Sequence, residues 1–240
     1  MFLYGQRSVT ERLKTNPQSI QRIYVLEEVR RPDIVKLARA KHVFVEFISK
    51  GKLLYLARDV HAQGVIAEVS DFVYQEFDEV LGREHKRIII FLDRITDPVN
   101  LGAILRICAC FGGCAVVLPK FESVEVNDTV VKVSCGAENH VPVSMVTNLS
   151  GAIEQAKDAG YWIGAAVVEE GVNPRKVKFN FPLGFVFGSE GEGIRPGLLK
   201  HVDYRLTVPM KGAQLSFNVA TSVGIFCYEA LNQKIYDKIK

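Results

Sequence analysis

Short apolar runs alternate with amphipathic stretches along most of the chain, which is typical of strands that alternate with helices. In the first 73 residues three β-rich runs occur, at residues 23–26, 43–47 and 64–69. Apolar residues at helical spacing precede and separate these runs, at residues 4–14, 34–38 and 53–56. The pattern predicts a small α/β domain over residues 1–73, followed by a charged linker over residues 74–86.

A second α/β domain is predicted over residues 87–240. It begins with Ile88–Leu92, a continuous apolar run of the kind that is buried on both faces of a parallel sheet. Five further strands are predicted, at residues 115–118, 141–146, 162–168, 184–187 and 205–208. Helices are predicted among them, at residues 100–111, 129–135, 149–160, 196–200 and 218–234. This alternation favours a doubly wound parallel sheet.

Composition narrows the class of protein. With 48% hydrophobic and 24% charged residues, the chain has the composition of a soluble globular protein. No apolar run reaches the roughly 18 residues that a bilayer-spanning helix needs, and residues 1–7 lack the features of a signal peptide. We therefore expect a cytoplasmic protein with no membrane partner. The five cysteines and five histidines show no metal-ligand spacing, so no metal site is expected.

The positive charge of the chain is unevenly distributed. Residues 1–75 contain 12 Lys and Arg against 8 Asp and Glu, whereas the remaining 165 residues contain 18 against 19. A basic N-terminal region indicates a polyanionic partner, although a solvated surface can produce the same count. Six basic residues of this region are candidates for phosphate contacts: Arg7, Arg12, Lys14, Arg30, Arg31 and Lys52.

Three polar, glycine-containing stretches each follow a predicted strand. Ligands of open α/β sheets bind beyond the carboxyl ends of the strands, so these stretches form the candidate site. In the first stretch, residues 97–106, Asp97 and Pro98 make a turn and Asn100 is suited to cap the following helix. Arg106 stands within an apolar run, where it needs an anionic or polar partner unless it lies on a solvated face.

The second and third stretches cover residues 188–193 and 209–219. Three glycines in residues 188–193 let the backbone approach a ligand, and they surround Glu190, a carboxylate that could bind a hydroxyl or an arginine. Their spacing matches neither the dinucleotide-binding fingerprint nor a Walker loop. In residues 209–219, Ser216 or Asn218 is suited to cap a helix, and exposed backbone groups could bind an adenine-like edge.

Together the three stretches resemble the motifs of the SpoU (TrmH) family of RNA ribose 2'-O-methyltransferases, within the knotted SPOUT superfamily. The motifs read D-P-x-N-x-G-A-I-x-R at residues 97–106, G-x-E-G-x-G at 188–193 and P-M-x-G…S-x-N-V at 209–219. The resemblance covers nearly the whole chain and is closest to the members that methylate a guanosine in 23S rRNA. The front domain resembles the ribosomal-protein-L30e-like RNA-binding domain of that family.

The resemblance implies a SPOUT-type parallel sheet with a trefoil knot, a homodimer that uses the C-terminal helix, and an RNA rather than a DNA substrate. It implies S-adenosylmethionine as the cofactor, bound by Gly188, Val208, Pro209, Met210, Leu215 and Phe217. The implied catalytic residues are Asn100, Arg106, Glu190, Ser216 and Asn218. The implied RNA-binding residues are Arg7, Arg12, Arg31, His61 and Gln63.

Two positions depart from the family pattern. Residues 61–64 read His-Ala-Gln-Gly where the family usually has H-Q-G, so one extra residue lies in a predicted RNA-contacting loop. Phe217 stands where the third motif usually has leucine. If Phe217 lines the cofactor site through its backbone, the exchange is tolerable; if its side chain packs on adenine, the site is reshaped.

Three alternative functions remain at this point. The nearest is a methyltransferase of the same family that acts on tRNA or on another rRNA site. A non-catalytic RNA-binding protein is disfavoured, because all five implied catalytic residues are retained. A nicotinamide-dependent oxidoreductase is more distant still, because its glycine fingerprint is absent.

Overall fold

The computed structural model describes residues 1–57, 62–82, 87–213 and 215–239 of the chain. Contacts between residues divide the chain into two compact units. The first unit comprises Met1–Val73 together with Val126–Asn139, and the second comprises Tyr74–Glu125 together with His140–Lys240. We call these the N-terminal unit and the sheet unit.

The N-terminal unit is built on a four-stranded mixed sheet with the order β1-β4-β2-β3. Strand β4 is antiparallel to both β1 and β2, and β2 is parallel to β3. The strands are β1 (Phe2–Tyr4), β2 (Ile20–Leu26), β3 (Val45–Ile48) and β4 (Val65–Val69). The helices are α1 (Gln6–Thr15), α2 (Pro32–Ala40) and α3 (Lys50–Ala57). Strand β1 was not predicted, because three residues are too few to show an alternating pattern.

A segment from the middle of the chain packs into the N-terminal unit. It contains a short helix, α6 (Asp128–Ser134), and a single 3₁₀ turn at Ala137–Asn139. Between them Gly136 has a φ of 91°, and a Cβ added there would lie 2.7 Å from the Cβ of Glu11 on α1. Only glycine therefore fits this close approach. The sequence pattern had predicted the helix but not the unit to which it belongs.

The sheet unit contains six parallel strands in the order β10-β8-β9-β5-β6-β7. They are β5 (Ile88–Asp93), β6 (Cys114–Pro119), β7 (Val143–Val146), β8 (Trp162–Ala166), β9 (Leu183–Gly188) and β10 (Tyr204–Leu206). The helices of this unit are α4 (Phe77–Leu81), α5 (Pro98–Phe111), α7 (Leu149–Asp158) and α8 (Val219–Ile239). The predicted parallel α/β sheet is thus confirmed, whereas the trefoil knot stays a prediction.

Two neighbouring central strands create the crevice that this fold offers to ligands. From β5 the chain continues towards β6 and β7 at one edge, whereas β9 is followed by β10 at the opposite edge. The sheet order therefore changes direction between β5 and β9, and crevices of this kind form beyond the carboxyl ends of such strands. The motif stretches at residues 97–106 and 188–193 follow these two strands.

Aromatic packing fixes α8 against the sheet. The ring of Phe226 on α8 lies edge-on to the rings of Phe185 and Phe187 on β9, with centroids 5.3 and 5.4 Å apart. All three side chains are fully buried, and such pairs add to the stabilisation that burial supplies. The first residue of α8 is thereby held near the end of β9.

The predicted linker contains structure of its own. Residues Phe77–Leu81 form helix α4, and its side chains Phe77, Val80 and Leu81 are buried in the core of the sheet unit. The charges of this segment predicted a linker and gave no sign that its apolar residues pack in a core. The domain boundaries proposed from the sequence stay a prediction. Among the described residues, no helix combines the length and the apolar character needed to cross a membrane.

Candidate active site

One polar residue from each motif stretch contacts the other two at the carboxyl end of the parallel sheet. The amide nitrogen of Asn218 donates to Oε1 of Glu190 at 2.6 Å and to Oδ1 of Asn100 at 2.8 Å. The amide nitrogen of Asn100 donates to the same Glu190 oxygen at 3.2 Å. Residues up to 118 positions apart thus form one hydrogen-bonded group, which we call the amide–carboxylate cluster.

The starts of two helices position the asparagines. Asp97 accepts a hydrogen bond from a backbone N–H of the first turn of α5 at 2.9 Å, and Pro98 occupies the first helical position. The prediction that Asn100 caps this helix is therefore wrong, and capping by Asp97 leaves the Asn100 side chain available for the cluster. Asn218 does cap α8, because its Oδ1 accepts a backbone N–H of the first turn at 2.9 Å.

The glycine-rich stretch folds back on itself. The N–H of Gly193 donates to the carbonyl of Ser189 at 2.9 Å, and the two residues form an isolated antiparallel bridge. A Cβ added to Gly188 would lie 2.1 Å from the carbonyl carbon of Gly193, so no larger residue fits without moving the loop. This tight turn, the 188–193 loop, presents Glu190 at its exposed tip.

A cavity of about 320 Å³ lies against this loop. Of the six predicted cofactor-binding residues, Gly188, Val208, Met210 and Phe217 line it. Pro209 and Leu215 are exposed and are not among its lining residues. The predicted catalytic residues Glu190 and Ser216 also contribute to the lining.

Several cavity residues were not singled out from the sequence. The aromatic residues Phe187 and Phe226 line the cavity, as do Val167 and Val168 just beyond β8. Ser222 on α8 adds a hydroxyl. It stands four residues after Asn218, a spacing that places both on one side of the helix, so helical periodicity could have identified it. The cavity is therefore apolar on the β9 and α8 side and polar at the loop.

Arg106 lies on an exposed position of α5, six residues after Asn100. An exposed position on the helix that carries Asn100 can be reached by an anionic substrate. The catalytic role of Arg106 stays a prediction.

Two of the predicted RNA-binding residues lie together in the N-terminal unit. Arg31 donates to the backbone carbonyl of Gln63 at 2.8 Å and to Oε1 of Gln6 at 3.0 Å. Both Arg31 and Gln63 have positive φ, 30° and 52°, which is uncommon for residues other than glycine. Arg7 is exposed on α1. His61 lies outside the described residues.

The RNA-binding assignment of Arg12 is wrong. Only 3% of Arg12 is exposed, and its guanidinium pairs with the buried carboxylate of Glu138 at 3.1 Å. A second guanidinium nitrogen donates to the hydroxyl of Ser19 at 3.2 Å. A guanidinium that is buried and paired in this way inside the N-terminal unit is not accessible to a phosphate. Arg12 is a structural residue.

Metal ligands are not grouped in the part of the chain that the structure describes: no set of three or more His, Cys, Asp and Glu side chains there could hold a metal ion. The polar groups at the cavity are instead amides, hydroxyls and carboxylates. Such a site is suited to a polar organic ligand with an apolar portion.

Comparisons with protein families agree with this architecture. Residues 87–228 match the SpoU rRNA Methylase family, and residues 2–75 match the family described as RNA 2'-O ribose methyltransferase substrate binding. A Staphylococcus epidermidis protein named for the TrmH family of tRNA/rRNA methyltransferases is 35% identical over 241 residues, which cover 98% of this chain and 96% of that protein.

Solved structures show the same fold. The SpoU methyltransferase AviRb from Streptomyces viridochromogenes, solved in complex with the cofactor AdoMet, aligns with a TM-score of 0.82 at 20% identity and covers 98% of this chain and 91% of its own. A TrmH/SpoU tRNA modifying enzyme from A. aeolicus aligns with a TM-score of 0.57 at 29% identity, over 68% of this chain and 82% of its own.

A parallel α/β sheet with a cavity beyond the carboxyl ends of its strands places the chain in the class of α/β proteins that bind a ligand at that edge. Within that class, the chain belongs to the SpoU family of RNA methyltransferases.

Proposed function

We propose that the protein transfers a methyl group from S-adenosylmethionine to the ribose 2'-hydroxyl of a guanosine in 23S rRNA. The observation that carries this proposal is the amide–carboxylate cluster beside the cavity, where Asn100, Glu190 and Asn218 from three distant stretches meet. Membership of the family supports the reaction class. The guanosine and the 23S rRNA rest on the resemblance of the sequence to that branch of the family.

The cavity fits the cofactor. Its volume of about 320 Å³ lies in the range of small-molecule sites. Phe187, Val208, Phe217 and Phe226 provide apolar walls for a base, and the backbone of the 188–193 loop provides polar groups for a ribose. When bound, S-adenosylmethionine supplies a sulfonium-linked methyl group that an in-line nucleophile can attack. The residues of the chain then have to position that nucleophile and manage its proton.

Arg106 is the residue proposed to act at the target hydroxyl. A guanidinium is always protonated in proteins, so it cannot act as the general base. It can instead hold the phosphate next to the target ribose and stabilise negative charge that develops on the 2'-oxygen. Its exposed position on α5 leaves it accessible to the RNA backbone.

The amide–carboxylate cluster is proposed to orient the ribose. Two amide groups donate to one oxygen of Glu190, so the carboxylate is held in a fixed direction. A carboxylate held in this way can accept a hydrogen bond from a ribose hydroxyl. Ser216, which lines the cavity, is proposed to complete the polar surface around the reacting groups.

The N-terminal unit is proposed to bind the RNA. Arg7, Arg31 and Gln63 are its candidate contacts, with His61 as a further one from the sequence. Such contacts to phosphates position a substrate without specifying its sequence. The 2'-hydroxyl at the reacting position is what distinguishes RNA from DNA.

A homodimer through α8 is also proposed. Most apolar residues of this helix, including Val223, Phe226 and Ala230, are buried within the subunit itself. Tyr228 is 60% exposed and Ile225 is half-buried, so these two residues are the candidates for contact with a second subunit. Sedimentation of the wild-type chain and of Tyr228→Glu would test this, and equal masses for both would contradict it.

Methyl transfer to separate RNA substrates tests the function. We expect labelled methyl groups from S-adenosylmethionine to appear in 23S rRNA transcripts and not in tRNA. Mapping of the alkali-resistant positions should then place these methyl groups on a guanosine. Transfer to tRNA alone would contradict the substrate but not the reaction. Cofactor binding in a calorimeter without transfer to any RNA would favour the non-catalytic alternative.

A further inference from the structure

The last residue of β5 is a fully buried carboxylate that the proposed reaction does not use. Asp93 is 0% exposed. One of its oxygens accepts the Nε–H of Arg195 at 2.9 Å and lies 2.7 Å from a terminal nitrogen of the same guanidinium. Its other oxygen accepts the backbone N–H of Arg195 at 2.9 Å. All of these contacts go to a single residue.

Asp93 and Arg195 together close the base of the 188–193 loop. In the sheet register Asp93 pairs with Gly188, where the loop begins. Arg195 stands two residues after Gly193, where the loop ends. Both ends of the loop are therefore attached to the same residue of β5, and the tip that carries Glu190 projects from this attachment.

A second ion pair supports the same loop. Arg94, which follows Asp93, pairs with Glu192 on the loop. Its φ of 58° turns the chain sharply after β5. Within the described residues, the one other carboxylate that pairs with Arg195 is that of Glu122, which is exposed and lies 3.6 Å away. The strong contacts of Arg195 thus all point to the base of the loop.

The chemistry of this pair is suited to positioning the loop. A buried carboxylate is costly unless it is fully paired, and apolar residues of similar volume stabilise a fold at least as well. Here two guanidinium nitrogens of Arg195 hold one oxygen of Asp93 and its backbone N–H holds the other, so the contacts fix direction as well as distance. Such a pair is suited to a loop whose tip must hold one orientation.

We propose that Asp93 and Arg195 are positioning residues, which hold the 188–193 loop so that Glu190 stays in the amide–carboxylate cluster. This inference rests on the proposed function of that cluster. Neither residue touches substrate. Their effect on methyl transfer passes through the orientation of Glu190 and through the shape of the cavity wall that the loop provides.

The test uses Arg195→Ala in the full-length chain, with Lys157→Ala as the matched control. Lys157 forms an ion pair with Asp203 at 2.7 Å in the same unit but does not contact the loop. We expect Arg195→Ala to lower kcat by about tenfold to a hundredfold, as small misplacements of catalytic groups do. The KM for RNA should stay within about twofold, and the control should leave both unchanged. Arg195→Lys keeps the charge but loses one of the two side-chain contacts to Asp93, so its kcat should lie between those of the wild type and Arg195→Ala.

A double mutant separates positioning from general stability. If Arg195 acts through Glu190, then Arg195→Ala should lower kcat little further in a Glu190→Gln background. Independent, multiplying effects would overturn the proposal. Asp93→Asn keeps the shape of the side chain and should behave like Arg195→Ala. If the Asp93→Asn protein does not fold, the Arg195 variants remain for the test, because the Arg195 side chain is 40% exposed.

A readout that needs no activity keeps this inference distinct from the proposed function. Amide hydrogen exchange of residues 189–195 should be faster in Arg195→Ala than in the wild type and unchanged in Lys157→Ala. Unaltered exchange in Arg195→Ala would overturn the inference even if the wild type methylates RNA. If exchange is faster in Arg195→Ala but the wild type methylates no RNA, the attachment of the loop by Arg195 is supported and only the proposed function is refuted.

Discussion

The side-chain nitrogen of Asn218 donates a hydrogen bond of 2.6 Å to the carboxylate of Glu190, while Oδ1 of the same side chain caps helix α8. One side chain thus links the start of that helix to the 188–193 loop. The direction of the amide is set by the cap, so the amide nitrogen is fixed before any ligand binds. The polar group at the cavity is therefore organised by the fold itself.

Asn218→Ala is expected to lower methyl transfer much more than stability. Loss of the helix cap should cost about 1 kcal/mol, and loss of the Glu190 contact should reduce kcat by about tenfold to a hundredfold. Asn148→Ala is the matched control, because Asn148 caps α7 with the same geometry at 3.0 Å and is not part of the cluster. Thermal unfolding and single-turnover transfer would be measured together. Equal losses of activity in the two variants would show that the cap alone matters.

Arg106→Ala is expected to abolish methyl transfer, with a drop in kcat of at least about 100-fold. Binding of S-adenosylmethionine, measured by calorimetry, should remain nearly intact, because Arg106 is not among the cavity-lining residues. Arg175→Ala changes an exposed arginine outside the three motif stretches and should be neutral. Lost cofactor binding with residual turnover would refute the assignment.

Phe217→Ala is expected to weaken cofactor binding by about tenfold, or ~1.4 kcal/mol. Phe217 is 42% exposed and lines the cavity, so a bound base could cover apolar surface of its side chain. Phe217→Leu, which restores the usual residue of the family motif, should bind with nearly wild-type affinity. The control is Phe121→Ala, an exposed phenylalanine away from the cavity. If calorimetry gave the same affinity for Phe217→Ala and wild type, the backbone alone would serve the cofactor.

Gly188→Ala is expected to abolish cofactor binding. Its Cβ would lie 2.1 Å from a backbone carbon of Gly193, so the loop that lines the cavity has to open. Gly197→Ala is the control, because nothing lies within 4 Å of a Cβ at that position. Binding would be followed by calorimetry, and folding by circular dichroism. A Gly188→Ala protein that is folded and binds normally would show that the closed loop is unnecessary.

Glu138→Ala is expected to destabilise the protein by about 3–5 kcal/mol, because it leaves the guanidinium of Arg12 buried without its partner. The side chain of Glu138 is 0% exposed and that of Arg12 is 4% exposed. Arg22→Ala, which breaks an exposed ion pair with Glu46 in the same unit, should have a much smaller effect. Urea unfolding would measure both. A small change for Glu138→Ala would argue against a structural role for Arg12.

Local patterns were sufficient for the elements that are defined by their own residues. Ile88–Leu92 is apolar throughout, so a buried parallel strand was predictable, and all six residues of β5 are buried. Ser216 and Asn218 were the two candidates for the cap of α8, and Asn218 is the cap in the structure. The three motif stretches could be placed in one site because parallel strands end at one edge of a sheet.

Other properties depended on partners that are remote in the chain. Arg7 and Arg12 stand on one helix and look alike in the sequence, yet only Arg12 is buried, because Glu138 meets it from 126 residues away. Phe77–Leu81 carries charges typical of a linker but packs in a core.

The sequence by itself therefore determined the order and type of the main elements and which stretches carry polar chemistry, since these follow from periodicity and turn residues. Only the tertiary structure decided that Asp97 rather than Asn100 caps α5 and that Asp93 meets Arg195. Neither choice is encoded in local spacing, because each depends on which groups the folded chain brings within hydrogen-bonding distance.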